Sequence, residues 1–392
     1  MNRVFIADLC RTPIGKMGGS LSSLPSTELG SIVIKELLVR TGIKADKVDH
    51  VIMGCVLQAG LGQNVARQAA LHAGLPVTTT AETINIVCGS GLHAVNQAAR
   101  MIQTGDADIV IAGGMESMSN APYVLNQARF GYRMGNAALI DTMVNDALWD
   151  AFNDCHMGIT AENIAEQYNL SREELDEYAV KSQEKAALAI EKGLFKEEIV
   201  PVKVKQKKQI NIVDMDEGPR PNTTIESISK LKPVFKADGK ITAGNSSGIN
   251  DGAAAVILIS EDRAKEFGII PKAEWIGGTL AGVDPSVMGI GPVYSVKKLF
   301  RKLKITIDDI DLIEANEAFA AQALAVASDL KFPPEKVNVN GGAIALGHPV
   351  GASGCRILVS LIYEMKRRNA SIGLATLCIG GGMGCSAIIK LI

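Results

Sequence analysis

Aromatic side chains are scarce in this 392-residue chain and make up only 4% of it. Proteins that bind single-stranded nucleic acids stack the bases on aromatic rings and hold the phosphates with an excess of positive charge. The formal net charge here is -2, so that excess is missing as well. The composition therefore predicts that the chain has no nucleic-acid partner.

Long apolar runs are also missing. No stretch approaches the roughly 18 uninterrupted apolar residues of a membrane-spanning helix, so we expect no membrane partner. The start of the chain, MNRVFIADLCRTPIG, has a short apolar run that is broken at Asp8 and Arg11. This pattern argues against a signal peptide, and the ending KLI is not a peroxisomal signal.

The seven cysteines have no paired spacing. None forms a CxxC pair of the kind that binds zinc, and their odd number does not indicate a disulfide framework. Cys155 and His156 do not form a metal pair either, because adjacent residues on a regular element point apart. The cysteines therefore predict a reducing, cytoplasmic location and no metal, and most of them should be small buried apolar residues.

What the chain does have is an internal duplication. Residues 38–56 resemble residues 299–317, each with a helix end, a polar turn containing D-x-[IV]-D, and a strand. Residues 83–117 parallel residues 337–383, each with a strand, a glycine-rich turn, an amphipathic helix and a second strand. Repeated strand–helix–strand units predict two α/β halves with parallel strand pairs and helices packed outside them. Facing loops of two such halves are a natural place for a site.

The segment between the halves differs in composition. Residues 119–249 are rich in charge and Met, include a basic run at 203–209, and contain a helix whose start, Ser171 followed by Glu174, fits a capping box. We predict an inserted loop domain over 119–249. The N-terminal half is then 1–118 plus 250–268, and the C-terminal half is 269–392.

Cys88 is the first candidate for chemistry. The β-rich run TINIV leads to CGSG and then to a predicted helix, so Cys88 should lie near a helix N-terminus. There the helix dipole favours a thiolate, which makes the sulfur a nucleophile. A buried packing cysteine in a tight turn fits the local pattern equally well.

His348 and Cys378 are candidates in the second half. His348 lies in the glycine-rich loop NGGAIALGHPVGASG, where a histidine can act as a general base or simply be structural. Cys378 precedes three glycines at the end of a strand, a place where free N–H groups can bind an oxyanion, although a strand cysteine that faces the core is common.

Asn316 and Glu317 fall in a predicted strand-to-helix turn. An Asn there can cap the helix, hold a water or donate to an oxyanion. Cys10, Cys55, Cys355 and Cys385 lie in apolar or packed sequence contexts and look structural. The glycine run at the C-terminus is not a dinucleotide motif, because neither a helix nor an acidic residue follows at the required distance.

Taken together, these segments resemble the thiolase family. The motifs that carry the resemblance are NIVCGSG (85–91), AGGMESMS (112–119), NEAFA (316–320), NGGAIALGHPVGASG (340–354) and CIGGGMG (378–384). The likeness covers essentially the whole chain. HMG at 156–158 is similar to the short-chain, biosynthetic branch of the family. The resemblance implies a five-layered α-β-α-β-α core and the reversible joining of two acetyl-CoA molecules.

The resemblance also implies a role for each candidate. Cys88 takes up the acetyl group as a thioester after His348 activates it, and Cys378 moves the proton of the second acetyl-CoA. Asn316, through a water, and His348 form one oxyanion hole. The backbone N–H groups of Cys88 and Gly380 form the other. Neither a metal nor a resident cofactor is needed.

The implied partners are acetyl-CoA, acetoacetyl-CoA and CoA, and the implied assembly is a homotetramer. The implied contacts with substrate and CoA lie mostly in or beside the insertion. They are His156, Met157, Arg220, Ser227, Ala243, Ser247, Met288, Ala318 and Phe319.

Three positions depart from the family pattern: Cys155, Cys355 and Met383. They put the shape of the acyl pocket and the sensitivity to oxidation in doubt. Other interpretations also stay open, namely a degradative thiolase for longer 3-ketoacyl-CoA chains, a ketosynthase relative, and an inactive CoA-binding scaffold. The second cysteine argues against the ketosynthase.

Overall fold

The computed structural model describes residues 2–206 and 209–392, so Lys207 and Lys208 of the basic run lie outside the described residues. The strands of the described part are β1 (Val4–Arg11), β2 (Gly15–Lys16), β3 (His50–Gly54), β4 (Thr80–Ile84), β5 (Ile109–Ser117), β6 (Tyr123–Val124), β7 (Ile140–Asp141), β8 (Trp149–Asp150), β9 (Cys155–His156), β10 (Val202–Gln206), β11 (Gln209–Val213), β12 (Asn250–Ser260), β13 (Ala273–Gly282), β14 (Leu312–Ala315), β15 (Ile372–Ile379) and β16 (Met383–Leu391). The α-helices there are α1 (Ser26–Thr41), α2 (Val65–His72), α3 (Ser90–Thr104), α4 (Met157–Gln167), α5 (Arg172–Glu191), α6 (Ile225–Ser229), α7 (Glu261–Glu266), α8 (Gly291–Leu303), α9 (Ala320–Leu330), α10 (Ala343–Leu346) and α11 (Val350–Arg368).

Ten strands form one mixed sheet in the order β14-β15-β16-β13-β1-β12-β5-β3-β4, with β2 paired to the start of β12. β3 pairs in parallel with β4 and β5, and β14 pairs in parallel with β15, as the repeated units predict. The other neighbours are antiparallel. The halves meet at β1 and β13, where Phe5 and Ile6 pair with Glu274 and Ala273.

The apolar side chains divide the molecule into five layers, in agreement with the expected core. α3 and α11 pack on each other between the two halves of the sheet, in one cluster with inward residues such as Val256 and Ala387. α1 and α2 cover the outer face of the first half, and α8 and α9 join the cluster outside the second. We expected the helices of the repeated units outside the sheet, and for α3 and α11 this was wrong. Residues 350–365 of α11 are all buried, so only an internal position suits that helix.

The duplication is visible in matching hydrogen bonds. Oδ2 of Asp49 accepts from the backbone N–H groups of Asp108 and Ile109, at 2.8 and 2.9 Å. In the second copy, Oδ2 of Asp311 accepts from the N–H groups of Ser371 and Ile372 at the same distances. The last Asp of each D-x-[IV]-D pattern thus ties its strand to the start of the next parallel strand.

The segment 119–249 holds α4, α5, α6 and three small antiparallel hairpins. α5 begins with the predicted capping box, in which Ser171 Oγ accepts from the N–H of Glu174 and the Glu174 carboxylate accepts from the N–H of Ser171. α4 and α5 pack on α9, and α5 also packs on α10. The helices of the segment therefore lie against the second half, next to the loop that carries His348, whereas Val202 and Val204 of β10 join the outer cluster of the first half. Its assignment as a separate domain stays a prediction.

Within residues 2–206 and 209–392, no helix is long and apolar enough to cross a membrane. The same described ranges contain no cluster of three or more His, Cys, Asp or Glu side chains arranged to hold a metal ion.

Candidate active site

One cavity of about 950 Å³ is lined jointly by the two halves and the segment 119–249. Cys88, His348 and Gly380 line it. Every position that the resemblance assigned to substrate or CoA lines it as well: His156, Met157, Arg220, Ser227, Ala243, Ser247, Met288, Ala318 and Phe319. The structure thus brings residues from both halves and the insertion to one site.

Cys88 lies in a tight turn between β4 and α3. The residue before it, Val87, has φ 51°, a left-handed conformation that β-branched residues rarely adopt. Ser90 holds this turn, because its Oγ donates to the carbonyl of Val87 at 2.7 Å and accepts from the N–H of Ile86 at 3.0 Å. A side chain at Gly89 would lie 2.4 Å from Ile379. Backbone strain is therefore held directly beside the sulfur, as is frequent at functional sites.

The electrostatics of Cys88 differ from our expectation. Burial raises the pKa of its thiol to about 11, because a thiolate inside the protein loses its hydration. The backbone N–H groups of Gly380 and of Cys88 itself hydrogen-bond the sulfur and act in the opposite direction. Desolvation outweighs them and the helix N-terminus, so the prediction of a lowered pKa was wrong for the free protein. The sulfur is a thiol at rest and needs a base.

His348 is held from two sides. Its backbone N–H donates to Oδ1 of Asn250 at 2.9 Å, and its Nδ1 lies 2.5 Å from Oγ of Ser353. The Ser353 hydroxyl gives its only proton to the carbonyl of Pro349 at 2.9 Å, so Oγ accepts from Nδ1–H. Nε2 therefore keeps its lone pair. Burial, helped by the charge of Arg356, lowers the pKa of His348 to about 3, which keeps the imidazole neutral and leaves the lone pair on Nε2 free.

Asn316 follows β14 and does not cap the next helix, because the N-cap position of α9 is Phe319. Its Nδ2 lies 3.5 Å from Nε2 of His348, and its Oδ1 lies 3.5 Å from Nη2 of Arg356. Asn316 thus lies beside Nε2 of His348. From there its side chain can donate to an oxyanion or hold a water, the two other roles that the sequence suggested.

Glu317 has a structural role. Its buried carboxylate accepts hydrogen bonds from the hydroxyls of Tyr178 and Ser182, from Nδ2 of Asn338 and from the N–H of Ile344, at 2.7 to 3.2 Å. These bonds tie the insertion to the loop that precedes His348.

Cys378 is near the end of β15, and it is fully buried in the cluster outside the second half. Burial raises the pKa of its thiol, and the neighbouring thiol of Cys88 raises it further. The glycines that follow are required by the backbone. Gly382 has φ 87°, and a Cβ on it would lie 2.2 Å from the carbonyl oxygen of Val283.

The outer part of the cavity carries positive charge. Arg220 is exposed, and so is Lys16, which the sequence analysis missed. Neither side chain is in an ion pair with any residue of the described ranges. Two unpaired cations at the rim suit a phosphate-bearing ligand.

The inner part is apolar and aromatic. His156 accepts the N–H of Gly158 at its Nδ1, at 3.0 Å, so its Nε2 carries the proton. Its ring stacks on Phe235 with centroids 4.6 Å apart, and Phe235 meets Phe319 edge-on. Sequence reasoning missed Phe235, because it lies in a charged stretch without periodicity.

The remaining cysteines agree with their structural assignment. Cys10, Cys55, Cys355 and Cys385 are fully buried, and burial raises the pKa of each thiol. Cys155 is half-buried, and partial burial raises the pKa of its thiol, to which the carboxylates of Asp150 and Asp154 add. This thiol is therefore a weaker nucleophile than its partial exposure suggests.

Comparison with known families covers nearly the whole chain. Residues 4–262 match the family described as "Thiolase, N-terminal domain", and residues 269–391 match "Thiolase, C-terminal domain".

Individual relatives agree with this assignment. The chain is 57% identical to the "Acetyl-CoA acetyltransferase" of Syntrophomonas wolfei over 99% of its own length and 98% of the relative. It is 53% identical to the "Probable acetyl-CoA acyltransferase" of Staphylococcus aureus, over 100% of this chain and 99% of the relative. The crystal structure of the Bacillus anthracis acetyl-CoA acetyltransferase superposes with a TM-score of 0.98 at 46% identity, over 100% of this chain and 99% of that one. We conclude that this chain belongs to the thiolase family and is an acyltransferase enzyme.

Proposed function

We propose that the protein is an acetyl-CoA C-acetyltransferase, which interconverts two acetyl-CoA with acetoacetyl-CoA and CoA through an acetyl-Cys88 thioester. The observation that carries the proposal is one cavity in which Cys88, a neutral imidazole and two backbone N–H groups converge below a cationic rim. The names of the relatives support the acetyl substrate. CoA is substrate and product, and the proposal includes no resident cofactor.

In the first half-reaction, Nε2 of His348 takes the thiol proton of Cys88, and Sγ attacks the carbonyl carbon of acetyl-CoA. The N–H groups of Cys88 and Gly380 stabilise the negative charge on the thioester oxygen. When the bond between the carbonyl carbon and the CoA sulfur breaks, CoA leaves as a thiol with the proton of Cys378. The products are acetyl-Cys88, an imidazolium at His348 and a thiolate at Cys378.

In the second half-reaction, the Cys378 thiolate removes a proton from the methyl group of a second acetyl-CoA. Because burial raises the pKa of Cys378, its thiolate is a strong base, which suits an unactivated C–H bond. The enolate carbon attacks the acetyl carbonyl carbon, the bond to Sγ breaks, and Cys88 recovers its proton from His348. The NH₂ group of Asn316, through a water, and His348 stabilise the enolate oxygen.

The size of the acyl site supports a short substrate. A side chain at Gly380 would already lie 3.0 Å from Cε of Met157 and 3.4 Å from Cγ1 of Val87. Met288 and the ring of Phe319 are further large groups that line the cavity. These side chains narrow the cavity close to Gly380, which favours a short acyl chain over the longer chains of a degradative thiolase.

An exposed apolar hairpin supports the proposed homotetramer. The loop between β6 and β7 presents Phe130 and Met134, which are 83% and 96% exposed. A large apolar surface of this kind usually contacts another protein chain. The proposal keeps the cytoplasmic location predicted from the cysteines.

The test of the proposal is the covalent intermediate. Incubation with acetyl-CoA should add one acetyl mass to the intact protein and to the peptide containing Cys88, and the Cys88→Ala variant should gain none. Cys385→Ala, which removes another buried thiol, is the matched control and should still be acetylated. Absence of acetyl-Cys88, or faster thiolysis of a 3-ketoacyl-CoA of about eight carbons than of acetoacetyl-CoA, would overturn the assignment.

A further inference from the structure

One face of α11 contacts both His348 and Asn316. Ser353 and Arg356 are three residues apart, so they lie on the same side of the helix. Ser353 contacts Nδ1 of His348, and Arg356 contacts Oδ1 of Asn316. No role was assigned to Arg356 from the sequence, yet it is 2% exposed in the middle of the molecule.

Arg356 determines which way the Asn316 amide points. A guanidinium carries five N–H donors and no acceptor, and it stays charged inside proteins. Only the oxygen end of the amide can therefore face Nη2 of Arg356, at the observed 3.5 Å. The NH₂ end is then turned toward Nε2 of His348, also at 3.5 Å. At this length the attraction between the charge and the amide dipole contributes more than the hydrogen bond itself.

The surroundings of Arg356 show that this contact is its main directed one. Nη1 lies 3.5 Å from Oε2 of Glu314, an ion pair without hydrogen-bond geometry. Nε and Nη1 have no hydrogen-bond partner among the described residues. Burial raises the pKa of Glu314 to about 8, so at pH 7 this carboxyl is largely neutral and compensates the guanidinium charge poorly. A buried cation with so few partners is expensive, which favours a function for it.

The charge of Arg356 also acts on His348. It disfavours the imidazolium and so helps to keep Nε2 unprotonated. The other titratable groups around Arg356 are the carboxyl groups of Glu198, Glu314 and Glu317 and the guanidinium of Arg11.

We propose that Arg356 is a positioning residue of the active site, which orients the Asn316 amide so that its NH₂ group faces the reacting atoms beside Nε2 of His348. Arg356 itself does not touch the substrate. The inference rests on the proposed function, because the orientation of Asn316 affects the rate only if Asn316 helps to stabilise the enolate.

A double-mutant cycle tests this inference. Arg356→Met removes the charge and the donors at similar volume, and Asn316→Ala removes the oriented group. We expect Arg356→Met to lower kcat for thiolysis of acetoacetyl-CoA by roughly 10- to 100-fold, with the KM for CoA within about twofold of wild type. The double variant should be no slower than Asn316→Ala alone, because both changes remove the same interaction.

Ser360→Ala is the matched control. Ser360 is buried on the same helix, but its hydroxyl donates to Glu198 and not to the site. This variant should keep the wild-type kcat. If Arg356→Met does not fold, Arg356→Gln replaces it in the cycle, because Gln removes the charge and the planar fork. Arg356→Lys keeps the charge and is a second control for the titration of His348.

A second readout separates orientation from structural damage. In Arg356→Met, the pKa of His348 should rise toward its ordinary value, as measured by NMR of histidine-labelled protein, in which only five histidines contribute signals. In Arg356→Lys and Ser360→Ala it should stay low. The proposal is overturned if the effects of Arg356→Met and Asn316→Ala multiply in the double variant, or if Arg356→Met leaves both kcat and the His348 titration unchanged. A wild-type protein that neither thiolyses acetoacetyl-CoA nor acetylates Cys88, while the His348 titration still moves in Arg356→Met, would instead refute the proposed function.

Discussion

The hydrogen bond between Ser353 and His348 gives the sharpest prediction, because it fixes where the imidazole proton lies. Ser353 is completely buried, so no solvent can replace its hydroxyl in Ser353→Ala. The Nδ1–H group would lose its acceptor, which costs about 1–3 kcal/mol. The ring escapes this cost by moving the proton to Nε2, but it then no longer has the lone pair that must accept the proton of Cys88.

Catalysis in Ser353→Ala requires the ring to return to the unfavourable tautomer. A penalty of about 1–3 kcal/mol corresponds to a 5- to 150-fold loss of rate. We expect this loss in kcat and in the rate of acetyl transfer to Cys88, while the KM for CoA stays nearly constant. Steady-state thiolysis and the time course of acetylation by mass spectrometry measure both rates.

Ser360→Ala again serves as the control, since it removes a buried hydroxyl from the same helix and should cost stability but not rate. Thermal unfolding of both variants reports the stability change. A Ser353→Ala enzyme with the wild-type kcat, or a Ser360→Ala enzyme with an equal loss of rate, would refute the tautomer argument.

Two further predictions concern the rim of the cavity and acid stability. Arg220→Ala should raise the KM for CoA by about fivefold, because an exposed charge contributes about 1 kcal/mol or less. The kcat at saturating CoA should stay unchanged. A changed kcat at constant KM would show that Arg220 is not a CoA contact. Burial, together with the charge of Arg100, lowers the pKa of His93 to about 4. Because an unfolded histidine titrates near its ordinary pKa of 6.5, the unfolded state binds a proton between pH 6.5 and 4 that the folded state does not, so stability falls as pH drops through this window. His93→Gln should lose less melting temperature between pH 7 and pH 5 than the wild-type protein. An equal loss in the variant and the wild type would show that His93 does not cause the fall in stability.

The duplication was the part of the fold that the sequence predicted best. A repeated polar turn indicates a repeated role, and Asp49 and Asp311 indeed close the same connection in each half. The sequence could not show that α3 and α11 lie inside the molecule, because a helix with one strongly apolar face is also compatible with an outer layer.

In the site, residue types and motif order predicted which side chains come together but not their electrostatics. The pKa of Cys88 depends on burial, which a local motif does not contain. Lys16 and Phe235 reach the cavity from segments without a recognisable pattern. Arg356 was overlooked because it follows a glycine-rich motif on a helix, where an arginine usually faces solvent.

The position of β1 in the middle of the sheet has a consequence for synthesis of the chain. Its partners are β12 and β13, which begin at residues 250 and 273, so the first strand to leave the ribosome cannot pair until more than half of the chain has followed it. At about 5–20 residues per second this delay is roughly 12–50 s. The apolar strand Val4–Arg11 stays unpaired during that time. Both halves therefore become complete only late in translation, and a chain that is cut short before β12 exposes an edge prone to aggregation.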